Sequence, residues 1–348
     1  MISRITRTAI AAALGGAAGL LAEPAGAQEV TLRLHHFLGP TAPAQRAFFE
    51  PWAERIAEQS DGRIAVEIYP SMTLGGSPPQ LISQLRDGVV DIVWTVTSYT
   101  PGQFPRTEVF ELPFVHGGDA VATNLAIQDL YEEWLAEEYQ DVHPILIHVH
   151  AGNALHTIDT PVRKPADLAG LKIRTPSRTG SFVLEALGAS PVGMPVPQLP
   201  QALSKKVVDG TTIPYEISLP LKIHELVDYD MEFEDGTRLG TAVFLYGMNK
   251  ARYDSLPDDL KAVIDQNAGQ NIAAEIGQVW MDVEQPGLQA AIDAGNEIIK
   301  WPVADKPEWQ AAVQPAIERW LAEVSDAGID GEALLEAATQ AVEAHGSQ

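Results

Sequence analysis

Two histidines, His148 and His150, stand two apart in the run ILIHVH at 145–150, and His156 follows closely. Alternate residues of a strand share a face, so an HxH pair can fill two corners of a zinc tetrahedron, with His156 as a third ligand. On that reading the chain is an exported metal-binding enzyme using His148, His150 and His156. Packed or hydrogen-bonded histidines satisfy the same pattern, and neither a second shell nor a general base accompanies these three. His35 and His36 are neighbours on a strand pattern and point to opposite faces, which prevents joint chelation. Carboxylate pairs such as Glu132-Glu133, Glu137-Glu138 and Asp258-Asp259 follow from composition alone, with 47 acidic against 23 basic residues, and carry no catalytic assignment. There is no Walker pattern, no strand–GxGxxG–helix, no GxSxG elbow and no HExxH, and the absence of cysteine excludes thiolate chemistry and disulfides.

Arg174 is of another kind. In GLKIRTP at 170–176, Leu171 and Ile173 alternate with Lys172 and Arg174, and Pro176 stops the strand just beyond the arginine. A guanidinium at the carboxyl end of a strand lies where α/β folds place their clefts, and its planar fork matches a carboxylate. A structural ion pair with an Asp or Glu of the chain fits the same spacing.

The surrounding elements alternate between strand and helix. Residues 30–37 alternate as a strand, 44–59 repeat Phe48, Phe49, Trp52 and Ile56 at helical spacing, and Asp61-Gly62 ends that helix. Strands at 63–69 and 89–96 with a helix at 80–86 complete a β-α-β-α-β beginning, and the apolar run VVDIVWTV suits a parallel strand covered on both faces. Helices follow in 120–139, a strand at 145–150 and a turn-rich link at 159–165. Arg174's strand leads into a helix at 179–187, and a further βα unit ends at Val207-Val208-Asp209-Gly210. The rest reads as a strand at 241–248, one or two long helices in 256–291, a short strand at 298–301 and two amphipathic helices. The fold class expected is α/β, two-lobed, with a cleft between domains and long C-terminal helices.

The 348 residues suffice for two domains. A formal net charge of −24 repels nucleic acid and anionic lipid, so an anionic ligand must be caught by local positive charge in a cleft. Arg4 and Arg7, the alanine-rich run at 9–22 and the small-x-small triplet Ala25-Gly26-Ala27 read as a signal peptide at 1–27, with Gln28 as the first mature residue. An exported, periplasmic protein follows, with no membrane insertion after cleavage.

Three segments together resemble the extracytoplasmic solute-binding subunits of tripartite ATP-independent periplasmic (TRAP) transporters, the DctP-like family: RIAVEIYPSMTLGG at 63–76, DLAGLKIRTP at 167–176 and ALGASPVGMPVPQLPQALSKKVVDG at 186–210. The resemblance runs from Leu32 to about Asp265. It implies the two-lobed periplasmic solute-binding protein fold, with lobe I from 28–150 plus about 238–272 and lobe II from 151–237 plus about 273–348. It implies capture of an organic acid, delivery to membrane permease subunits, no catalysis and no cofactor, with Arg174 clamping the ligand carboxylate. A stand-alone sensor would have the same fold and site.

The departures from the family pattern are chemical. Ile213 stands where many relatives carry a ligand-contacting Asn, Phe37 where sialic-acid binders carry Asn, and Thr95-Val96, behind Trp94, where those relatives place an Ala-Glu pair. A second Arg found in some relatives is Ala154, and Val196 occupies a position that can be aromatic. Loss of polar contacts with one Arg retained points to a monocarboxylate with an apolar or aromatic body. Phe37, Trp94, Tyr99, Ile213 and Tyr215 are candidate lining residues, each with core packing as the alternative role. Glu216 is a candidate to touch ligand or pair with a cation, ranked below Tyr215.

Overall fold

A computed structural model describes residues 28–346, so the expected leader at 1–27 lies outside the described residues. Strand β1 (Val30–His36) starts the first sheet because its alternating apolar residues bury Val30, Leu32 and Leu34. It is flanked by two parallel neighbours, β2 (Ile64–Tyr69) and β3 (Ile92–Val96). A π-helical turn at Ala44–Phe49 runs into α1 (Glu50–Gln59), and together they bury Phe48, Phe49, Trp52 and Ile56. Asp61 and Gly62 end that helix with φ of 53° and 76°, the left-handed turn that Asp-Gly tolerates. Helix α2 (Leu81–Arg86) leads to β3, whose five residues are all buried, as a doubly covered strand requires.

The sheet order is β2-β1-β3-β10-β4. Helix α3 (Ala120–Asp129) precedes β4 (Val142–Val149), and β10 (Val243–Asn249) returns from late in the chain to insert antiparallel between β3 and β4. Of the helices expected over 120–139, α3 ends at Asp129, and a π turn (Tyr131–Leu135) and a 3₁₀ turn (Ala136–Tyr139) follow.

The second sheet has the order β11-β9-β5-β8-β6-β7. Strand β5 (Ala154–Thr157) continues directly from β4. Next come β6 (Lys172–Thr175), α4 (Arg178–Ala186), β7 (Ser190–Gly193), α5 (Leu199–Ser204), β8 (Gly210–Ile213), the single turn α6 (Tyr215–Ser218) and β9 (Tyr229–Phe233). Strand β6 lies parallel to β7 and β8, whereas β5 is antiparallel to β8 and β9. The sequence reading missed β5 and β9. Both are short, and β9 carries Asp230 and Glu232, which are buried only because His156 binds the first while Arg238 and Lys300 bind the second.

The chain crosses between the sheets at 150–153 and at 234–242 in irregular segments, and the crossings are bound together by the amide of Asn153 donating to Gly240 O (2.8 Å). Helices α7 (Lys250–Asp254) and α8 (Asp258–Gln266) follow β10. Then α9 (Gln270–Asp282) packs on α3, and after a break at Val283 α10 (Glu284–Ala294) packs on α6 beside β11 (Glu297–Trp301). The stretch expected to hold one or two helices therefore holds three. Of the two final helices, α11 (Lys306–Asp326) packs on α4 and α12 (Gly331–Gly346) on α3. The boundary expected near residue 273 falls inside α9, and α12, expected with the second lobe, lies against α3.

Gly287 sets how closely α10 approaches α6. A Cβ built there would stand 2.0 Å from Tyr215 O and 2.5 Å from its carbonyl carbon, so the helix can seat only on a bare backbone. Gly287→Ala is expected to lower unfolding stability by about 1–3 kcal/mol through overpacking, despite alanine's better helix propensity, and denaturant unfolding of the two proteins measures it.

Candidate ligand-binding site

Strand β6 ends in Thr175-Pro176, and Arg174, one residue earlier, turns its side chain into the space between the two sheets. The side chain is almost wholly buried, at 1% exposure. Nε and Nη2 both donate to Met194 O, at 3.0 and 2.8 Å, and Nη1 donates to Thr212 O at 3.3 Å. A guanidinium has five N–H donors, so these three bonds leave two, and the Tyr99 hydroxyl borders them. No carboxylate among the described residues lies within ion-pair distance of it. Burial lowers its proton affinity and the neighbouring Tyr99 phenol partly restores it. The result is a buried cation held by carbonyl dipoles without a counter-ion.

Arg174 opens onto a cavity between the two sheets. Phe37, Trp94, Tyr99, Ile213 and Glu216 line the same cavity, so six of the seven residues singled out in the sequence converge on it. Phe37 stacks on Trp94 (5.0 Å between centroids, 17°), Trp94 stacks on Phe244 (4.5 Å, 6°), and Tyr99 meets Phe37 edge-on (5.5 Å, 62°). One wall is therefore a rigid aromatic stack.

Tyr215 is the exception. Its ring stands edge-on to His156 (5.2 Å, 81°) and 5.7 Å from the Arg238 guanidinium, inside the second sheet's own core. Successive residues of the turn α6 are about 100° apart, so Tyr215 and Glu216 cannot both face the cavity, and it is Glu216 that does. The ranking of Tyr215 above Glu216 is thus reversed. Glu216 is 5% exposed and its Oε2 has no hydrogen-bond partner. Burial, and then the nearby Glu284 carboxyl, hold its proton affinity well above the ordinary carboxylate range.

Several lining residues escaped the sequence reading. Phe244 comes from the returning strand β10, and His150 and Asn153 come from the first crossing. The only sequence signal was their position beside a strand end, where clefts form.

The three histidines do not assemble. His148 Nε2 accepts from Trp94 Nε1 (2.9 Å), and burial lowers its pKa to about 4. His150 Nδ1 accepts from Gly152 N (2.9 Å), and burial again holds that ring neutral. His156 Nδ1 is bound to Asp230, and its Nε2 lies 3.1 Å from Ile213 O. Among the described residues no group of three His, Asp or Glu side chains is placed to hold a metal ion.

Polar contacts tie the two sides together around the cavity. The Tyr99 hydroxyl accepts from Val196 N (3.0 Å), Arg178 at the start of α4 binds Glu108 and Glu323, and Glu111 accepts from Thr179 Oγ1 (2.8 Å), Ser98 Oγ (3.0 Å) and Val243 N (3.1 Å).

The sequence profile of the bacterial extracellular solute-binding protein family 7, DctP, matches residues 34–323. The chain belongs to this family. It is 28% identical over 321 residues to the C4-dicarboxylate-binding periplasmic protein DctP of Rhodobacter capsulatus, covering 89% of this chain and 93% of that one. Among solved structures, it is similar to a marine metagenome TRAP solute-binding protein specific for aromatic acid ligands, in complex with 3-hydroxybenzoate, at 42% identity and a TM-score of 0.89, covering 91% of this chain and 99% of that one. A TRAP solute-binding protein from Rhodoferax ferrireducens with copurified benzoate matches at 39% identity and a TM-score of 0.89, covering 91% and 98%. No helix among the described residues is long and apolar enough to cross a membrane.

Glu111 gives the protein a pH dependence of defined sign. Burial, and then the neighbouring Glu108, push its pKa up to about 7. A carboxyl whose folded pKa is raised favours folding fully below its unfolded value near 4.5 and loses that contribution as pH rises through 7. Glu111→Gln, which keeps the hydrogen-bonding shape without the charge, is therefore expected to gain on the wild type by about 2–3 kcal/mol between pH 4.5 and 8. Paired denaturant melts across that range measure the difference.

Proposed function

We propose that this protein is the ligand-capturing subunit of a TRAP transporter, taking up an aromatic monocarboxylate and presenting it to membrane permease subunits without chemical change. The observation that carries the reading is Arg174, a buried guanidinium bordered by carbonyls and a phenol with no counter-ion, beside an aromatic stack. Burying an unpartnered carboxylate costs several kcal/mol, and a two-bond pairing with Arg174 would offset that cost. The stack supplies the surface for an apolar body, worth about 1.5–3 kcal/mol for a fully buried ring. The relatives that bind aromatic acids support this reading, and export to the periplasm accords with the expected leader.

The mechanism inferred is closure of two lobes about the crossings at 150–153 and 234–242. One lobe is built on the first sheet with α3, α9 and α12, the other on the second sheet with α4, α10 and α11. Ligand draws Arg174 and Tyr99, which come from different sheets, onto one molecule, so it favours the closed form by its differential affinity.

Isothermal titration of wild type and Arg174→Met with benzoate, phenylacetate and succinate tests the reading. The wild type is expected to bind one of the aromatic monoanions with the dicarboxylate weaker, and the variant to lose about 100-fold or more, as removal of a charge-assisted bidentate pair requires. A variant that binds within tenfold of wild type, or a preference for succinate, would overturn the proposal.

A further inference from the structure

The second polar group of the cavity is the one that the carboxylate clamp leaves unexplained. Glu216 sits in the wall at the start of α6, 5% exposed, with Oε2 lacking any partner. Its own amide donates to Glu284 Oε1 (2.9 Å), and Glu284 in turn lies 3.4 Å from Arg238 Nη2. The surrounding cations are thus already engaged, and Glu284 adds negative charge behind Glu216. Arg174 on β6 and Glu216 on α6 both line the cavity, and no ion pair joins them. The guanidinium and the carboxyl therefore occupy separate parts of one cavity wall.

An unpartnered buried carboxyl costs free energy that packing does not return, and a neutral one is both donor and acceptor. Among simple functional groups, a hydroxyl satisfies both halves at once. A second carboxylate would bring a second negative charge into a cavity with one cation. We propose that Glu216 is the specificity-determining residue for a hydroxyl group carried by the ligand, so that the preferred acids are hydroxylated aromatic monocarboxylates with the carboxylate on Arg174 and the hydroxyl on Glu216. This rests on the function proposed above.

A site that pairs a hydroxyl rejects the analogue lacking it, because its own polar atom is then left bare. The test is titration of wild type, Glu216→Leu and Glu216→Gln with benzoate, phenylacetate, their 2-, 3- and 4-hydroxy derivatives and L-phenylalanine, with the melting midpoint of each unliganded protein as the folding control. Wild type is expected to bind the best hydroxy acid at least tenfold more tightly than its deoxy parent. In Glu216→Leu that ratio should fall to within threefold, with affinity for the deoxy acid kept or improved, and Glu216→Gln, which also donates and accepts, should retain part of it. An unchanged ratio in a folded Glu216→Leu overturns the proposal. So does L-phenylalanine as the best ligand, since its ammonium would require ionised Glu216, and so does binding that depends on added sodium or calcium.

Should Glu216→Leu not fold, the wild type alone decides. Binding enthalpies for the best hydroxy acid in phosphate and in Tris at pH 7.5 should agree without any buffer correction, because a hydroxyl pairs with the carboxyl without taking up or releasing a proton. Exchange of about one proton overturns the proposal. If no aromatic acid binds the wild type, the function proposed above fails first; if hydroxylated and parent acids bind equally, only the role of Glu216 fails.

Discussion

One buried cation without a counter-ion organises this molecule. Arg174 is held by two backbone carbonyls and a phenol, dipoles that lessen the cost of its burial without neutralising it. Carbonyl dipoles alone rarely recompense a fully desolvated charge, so the free state keeps a deficit that an incoming carboxylate can remove. Every other feature of the cavity is consistent with serving that exchange. Met194 and Thr212 carbonyls fix the plane of the guanidinium, Tyr99 borders it, and the Phe37–Trp94–Phe244 stack forms an apolar wall of the same cavity.

Much of this was legible in the sequence, for reasons that can be stated. Arg174 was legible because a period-two alternation followed by proline fixes both the face and the strand end. The β-α-β-α-β start was legible because Phe48, Phe49, Trp52 and Ile56 keep helical spacing while VVDIVWTV does not. Family resemblance supplied the two-lobed architecture and the expectation of a clamp role, which no spacing rule contains.

What was not legible depends on contacts distant in sequence. Strand β9 reads as YDMEF and looks too acidic to be buried until His156, Arg238 and Lys300 are in place around it. His148 looked like a metal ligand because an HxH pattern cannot reveal that Trp94 will reach its Nε2. Which of Tyr215 and Glu216 faces the cavity depends on how one short helical turn seats against a helix far along the chain, where the bare backbone of Gly287 meets the Tyr215 carbonyl.

The paired crossings have a mechanical consequence. Segments 150–153 and 234–242 are hydrogen-bonded side by side, through Asn153 and Gly240 and again through Thr241 and His150. These contacts join two irregular segments, so a bend in one of them is shared by the other. Any change in the angle between the two sheets must therefore be taken up by both segments together.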